Sequence, residues 1–167
     1  PALTDGGAAL LHTGVPARRS GDARKPLLQV VGLQRFSLDE SFFLQSGESA
    51  RPECEDGFDV TLSDGVHKVK CLLSTALNPL VYRGWLQLHA LVRVGARRSI
   101  FDAREPSSSA KLVVITELEF PARPGEAEGA RDGPCVLPGP IVPAPGEEVH
   151  CAARWSVCFV LGCQCTA

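Results

Sequence analysis

The sequence has no methionine, a single tyrosine, and no apolar run approaching the ~20 residues that a helix needs to cross a bilayer. No apolar stretch follows a basic start near the amino terminus, so we expect a soluble chain that is not secreted. The missing methionine, with Pro1 in first place, points to a processed or partial chain. Neither charge sign dominates. Lys and Arg total 17 against 19 Asp and Glu, which excludes a wholly basic nucleic-acid binder while leaving room for local segregation. No glycine-rich phosphate loop precedes a helix, and no nucleophile, acid and base come together in the pattern. Asp59, Asp64, Glu117 and Glu119 fall at turns or on alternating strand faces, so an enzyme is the least supported class and no cofactor is implied.

Paired C-x-x-C knuckles are also missing. Cys158, Cys163 and Cys165, with Cys151 and His150 upstream, carry the right ligand atoms for zinc in the wrong spacing, so no metal site is assigned. The cysteines number 7, an odd count, and only Cys54 and Cys71 fall where the chain looks folded. A reduced intracellular compartment fits this better than a disulfide framework.

What the sequence does contain centres on Phe58 to Leu73, FDVTLSDGVHKVKCLL. Phe58, Val60 and Leu62 alternate with Asp59 and Thr61, the period of two of a half-buried strand. Ser63-Asp64-Gly65 supplies a tight turn, and the returning strand sets His67, Val69, Cys71 and Leu73 on one face and Val66, Lys68, Lys70 and Leu72 on the other. Upstream, Leu27 to Leu38 reads as a first strand broken at Gly32, where a bulge would bend it. Asp39 to Gly57 reads as a loop carrying Phe42 and Phe43. Downstream, Ser74 to Tyr82 begins with helix-capping residues and contains Pro79, which predicts a short helix whose Leu77, Leu80 and Val81 plug one end of the sheet.

Leu86 to Val94 predicts a fourth strand, with Leu86, Leu88, Ala90, Val92 and Val94 inward and Gln87, His89, Leu91 and Arg93 outward. Gly95 to Ala110 predicts a loop, and Lys111 to Phe120 a last strand with Val114, Thr116, Leu118 and Phe120 on one face. Five strands with a short helix between the third and fourth is the order of the OB-fold, an all-β Greek-key barrel. The domain is bounded at residues 27–121, between a disordered segment 1–26 and a Pro/Gly-rich tail 122–167.

Such barrels bind oligonucleotides on strands two and three, flanked by two loops. Between Val66 and Arg104 the bases Lys68, Lys70, Arg83, Arg93, Arg97, Arg98 and Arg104 stand against one acid, Asp102. Lys68, Lys70, Arg93, Arg97, Arg98 and Arg104 would track phosphates while Phe42, Phe43 and Phe101 stack bases. Taken singly, each is equally a solvated cation or a cap on the barrel end. As a set on the expected elements they point to a single-strand groove.

FDVTLSDGVHKVKCLLSTALNPLVY, Phe58 to Tyr82, resembles the first OB domain of the RADX family, through DVT followed by SDGV, then KC and LNPLVY, with VVGLQRF as its first strand. It is similar, more distantly, to the N-terminal domain of the replication protein A large subunit through SDG, LNPLV and VVITELE. The resemblance spans roughly Leu27 to Phe120. It implies a nuclear protein that binds single-stranded DNA at replication forks and restrains the recombinase there, with no membrane partner. The more distant likeness implies a different ligand for the same groove, the acidic peptide segments of repair or checkpoint proteins.

Overall fold

The structure is a computed structural model that describes residues 2–13, 25–38, 56–100, 112–121, 134–141 and 150–151. Its elements in chain order are α1 (Gly7–Thr13), β1 (Leu27–Ser37), β2 (Asp56–Ser63), β3 (His67–Leu73), a 3-10 turn (Thr75–Leu77) running into α2 (Asn78–Tyr82), β4 (Leu91–Ile100), β5 (Leu112–Glu119) and β6 (His150–Cys151).

The alternation of the hairpin becomes its register. β2 and β3 pair antiparallel with Val60 opposite Cys71 and Thr61 opposite Lys70. Phe58, Val60, Leu62, Val69, Cys71 and Leu73 all enter the main core. In the turn the Asp64 carboxylate accepts the backbone N–H of Val66 at 3.0 Å and of His67 at 2.7 Å. Gly65 follows it at φ +98°, a left-handed conformation that costs a residue without Cβ least.

β1 lies between β2 and β4, β4 pairs antiparallel with β5, and β5 meets β3 in parallel at Leu72 and Leu73. With β2 on β3, the circuit closes into the five-stranded barrel expected of an OB-fold, and the short helix sits between β3 and β4. The bulge expected at Gly32 is present as a register shift between Val30 and Gly32. It changes the phase of β1, so that Leu28 and Val30 face the core before it and Leu33 packs on the core after it. Leu77, Leu80 and Val81 pack on the core as the plug. The 3-10 turn opens without a side-chain cap, contrary to the capping role read for its first residues.

The fourth and fifth strands differ from their expected phase. Residues 86–90 do not extend β4: they form turns in which His89 takes φ +65° and Leu88 is 51% exposed, while Leu86 is buried. The strand runs on to Ile100 instead, through what the composition had suggested was loop. Two register shifts follow, one skipping Gly95 on β4 and one skipping Thr116 on β5. Before them Val113 and Ile115 face the core; beyond them Leu118 and Phe120 do, and Val114 points outward rather than sharing their face.

The flanks are more structured than composition implied. In the lead-in, α1 buries Ala8 and Leu11 completely against the barrel. Its first turn is anchored by the Ala8 N–H donating to Asp64 at 3.1 Å. From the tail, residues 134–141 pack Cys135, Leu137 and Ile141 on Leu27 and Leu91, which point outward from the β1–β4 seam. The fully buried Gln29 holds this segment with both ends of its amide, donating to the Gly139 carbonyl at 2.9 Å and accepting from the Ile141 N–H at 2.6 Å.

At Gly57 a side chain is excluded by close approach. It lies opposite Phe36, and a Cβ there would overlap the Phe36 ring and stand 2.8 Å from Leu38 Cδ2. We expect Gly57→Ala to cost about 1–3 kcal/mol as β1 and β2 are pushed apart, measurable as a lower midpoint in urea unfolding.

Candidate nucleic-acid interface

Strand pairing places one continuous rung across the outer face of the barrel. Arg98 on β4 is opposite Val114 on β5, Val114 is level with Leu72 on β3, Leu72 faces Asp59 on β2, and Asp59 faces Gln34 on β1. One step along β3, Lys70 stands opposite Thr61, and Lys68 lies one further step out, opposite Ser63. Successive outward residues on a strand are about 6.8 Å apart, so Lys68, Lys70 and Leu72 make a ladder along the face.

The floor of this face is apolar, which the sequence reading missed. Leu72, Leu112 and Val114 are buried together, with Phe36, Leu38 and Ile100 packed at their edge. Two signals were available: Leu72 interrupts the cationic side of β3, and the bulge in β5 turns Val114 outward. The cluster itself is covered, so the face presents the half-buried edges Phe36, Leu38 and Ile100 between its cations rather than a continuous basic groove.

The individual cations divide into three situations. Lys68 is exposed on the outward side of β3, and Arg98 is exposed on the outward side of β4. Lys70 is committed to Asp59, with Nζ 2.8 Å from Oδ2. Burial pushes the Asp59 carboxyl above its ordinary range, opposed by the hydrogen bond and charge of Lys70. Its second oxygen, Oδ1, is buried without a hydrogen-bond partner among the described residues.

Arg97 and Arg93 lie elsewhere than on the outer face of β2 and β3. After the skipped Gly95, Arg97 pairs with Ile115, whose side chain is in the core, so Arg97 turns inward and its Nη2 donates to the Leu10 carbonyl at 2.9 Å. Burial lowers its pKa, and its role is to satisfy the last turn of α1. Arg93 lies on the β1–β4 seam, away from β2 and β3, and its Nη1 donates to the Lys25 carbonyl at 3.3 Å. Phe42, Phe43, Phe101 and Arg104 lie outside the described residues. His67, read as a core or rim residue, is half-buried with Nδ1 3.7 Å from Asp64. His89 is on a turn rather than a strand, its N–H bonded to the Val30 carbonyl at 2.7 Å.

At one end of the barrel the Asp56 carboxylate accepts the Tyr82 hydroxyl at 2.8 Å and Arg35 Nε at 2.7 Å. Tyr82 first and Arg35 second hold its carboxyl below the usual range. A carboxyl with a depressed folded value contributes stability above its unfolded pKa, and that contribution disappears as pH falls through the folded value. Asp56→Asn should therefore flatten the acid limb of the stability curve, read by urea unfolding at stepped pH. An acid limb as steep as in the parent would contradict the linkage.

Among the described residues no group of three or more His, Cys, Asp or Glu could hold a metal ion, and no helix is long and apolar enough to cross a membrane. Of the cysteine-rich end only the His150–Cys151 backbone is described, paired in parallel with His67 and Lys68.

Residues 15–110 match the family model of the RPA-related protein RADX N-terminal domain, a span of more than half the chain. The chain belongs to this RADX N-terminal domain family. A comparison with curated proteins finds no match. The matched span includes the hairpin, α2 and β4, and with the closed barrel it bears out both the OB architecture and the family resemblance read from Phe58 to Tyr82.

Proposed function

We propose that this domain binds single-stranded DNA as the first OB domain of a RADX-like protein, acting in the nucleus to protect replication forks by restraining recombinase on single strands. The observation that carries the reading is the outer face of the barrel, where half-buried Phe36, Leu38 and Ile100 edge the buried cluster of Leu72, Leu112 and Val114 between exposed Lys68 and Arg98. Bases have apolar faces and phosphates have charge, and a strip with cations on its margins offers both contacts without reading a particular sequence. Family membership supports the same ligand class.

Titration of a fluorescent oligo-dT into the full chain at low and moderate salt tests the proposal. Binding that weakens steeply with salt is expected, since each phosphate contact formed releases condensed counterions to solution. The apolar floor also favours a second reading, an acidic peptide with hydrophobic anchors. If such a peptide binds while oligo-dT does not, the domain is a protein-interaction module.

A further inference from the structure

The outward carboxylate of Asp59 is an unusual choice for the middle of a ligand face. Its side chain is 7% exposed, in a position where burial disfavours the charged form. One oxygen is held by Lys70 at 2.8 Å, and Oδ1 has no partner among the described residues. The pair's neighbours in register are Leu72 across the ladder and Thr61 opposite Lys70. An acceptor kept buried and unused beside an apolar floor has the form of a recognition group awaiting a donor.

We propose that Asp59 reads the ligand, accepting a hydrogen bond on Oδ1 from the exocyclic amine of a cytosine that enters beside the partly exposed Lys70, so that the domain prefers cytosine to thymine. This deepens the single-strand reading above and rests on it. Cytosine presents an N4 amino donor to an acidic acceptor, whereas thymine carries a carbonyl oxygen at that position and would set two acceptors against each other. Lys70 gives the amine a route in. It is the more exposed member of the pair at 22%, and its flexible stem lets the ammonium shift toward a ligand phosphate while keeping its contact with Oδ2. Asp59 then keeps its counter-ion on Oδ2 as the amine takes Oδ1.

The test is the ratio of affinities for oligo-dC and oligo-dT of equal length, measured by anisotropy with the full chain. A preference for oligo-dC of roughly tenfold is expected, the size of one well-made hydrogen bond to a charged acceptor. An oligomer of 2-pyrimidinone, which is cytosine without its amino group, should lose that preference without any change to the protein. In Asp59→Leu with Lys70→Met, which replaces the ion pair by apolar groups of similar length, the two natural oligomers should bind equally.

Equal binding of oligo-dC and oligo-dT by the parent chain overturns the proposal but leaves single-strand binding standing, and so does a preference that survives in the variant or with 2-pyrimidinone. Failure to bind either oligomer overturns the single-strand reading and this proposal together. Should the double variant not fold, the 2-pyrimidinone comparison decides.

Discussion

Lys70→Glu is expected to destabilise the domain by about 3–5 kcal/mol, the usual consequence of removing one partner from a buried ion pair. Asp59 is buried and its carboxyl is already pushed upward, so Lys70 is what makes a charge there tolerable. The substitution removes that cation and adds a second carboxylate beside the first. Against the 5–15 kcal/mol that a domain typically has, this is a large fraction. Urea unfolding of the variant should show a much lower midpoint, with part of the loss recovered in Asp59→Leu with Lys70→Met, where neither charge remains. A variant as stable as the parent would mean that the pair is not buried. The same reasoning makes Lys70 a poor choice for testing DNA binding by charge reversal, because lost affinity would be confounded with lost folding.

The second large effect is expected at Asp64. Its carboxylate accepts from Val66 and His67 within the turn and from Ala8 at the start of α1, so one side chain closes the hairpin and seats the helix. Hydrogen bonds to a charged acceptor contribute more than neutral ones, and Asp64→Ala leaves these N–H groups without it, a loss of about 3 kcal/mol. The change should also release α1. Hydrogen exchange at Ala8 and Leu11, both fully buried, should accelerate more than exchange in β4 and β5. Uniform acceleration across the barrel would show that the turn and α1 are not coupled through Asp64.

These two residues also mark where the sequence could be read and where it could not. The hairpin was legible because alternation and turn chemistry agree at every position from Phe58 to Leu73, and the closed barrel and family membership follow from the same stretch. Asp64 was legible as a turn residue but not as the anchor of a helix fifty-six positions away, a contact only the fold creates. Residues 7–13 and 134–141 looked featureless because their order comes from what they pack against, Asp64 in one case and Gln29 in the other. The site was misread chiefly through phase. Simple alternation carries Arg97 outward, but the skipped Gly95 and Thr116 turn it inward and turn Val114 out; Gly95 reads as the start of a loop rather than as a bulge, and nothing local marks Thr116. In the sequence Asp59 reads as an ordinary outward residue, because burial on the outer face of a barrel depends on neighbours from three other strands.

The central claim is that the outer face between Lys68 and Arg98 is the single-strand interface. Its most direct measurement is the salt dependence of oligo-dT binding for the full chain and for Lys68→Glu with Arg98→Glu, two exposed positions, with the unfolding midpoint of the variant measured alongside. The variant should bind at least tenfold more weakly at low salt, and the slope of log affinity against log salt should shrink by about 1.4, the share of two phosphate contacts on a single strand. An affinity and a slope unchanged by the double substitution would contradict it.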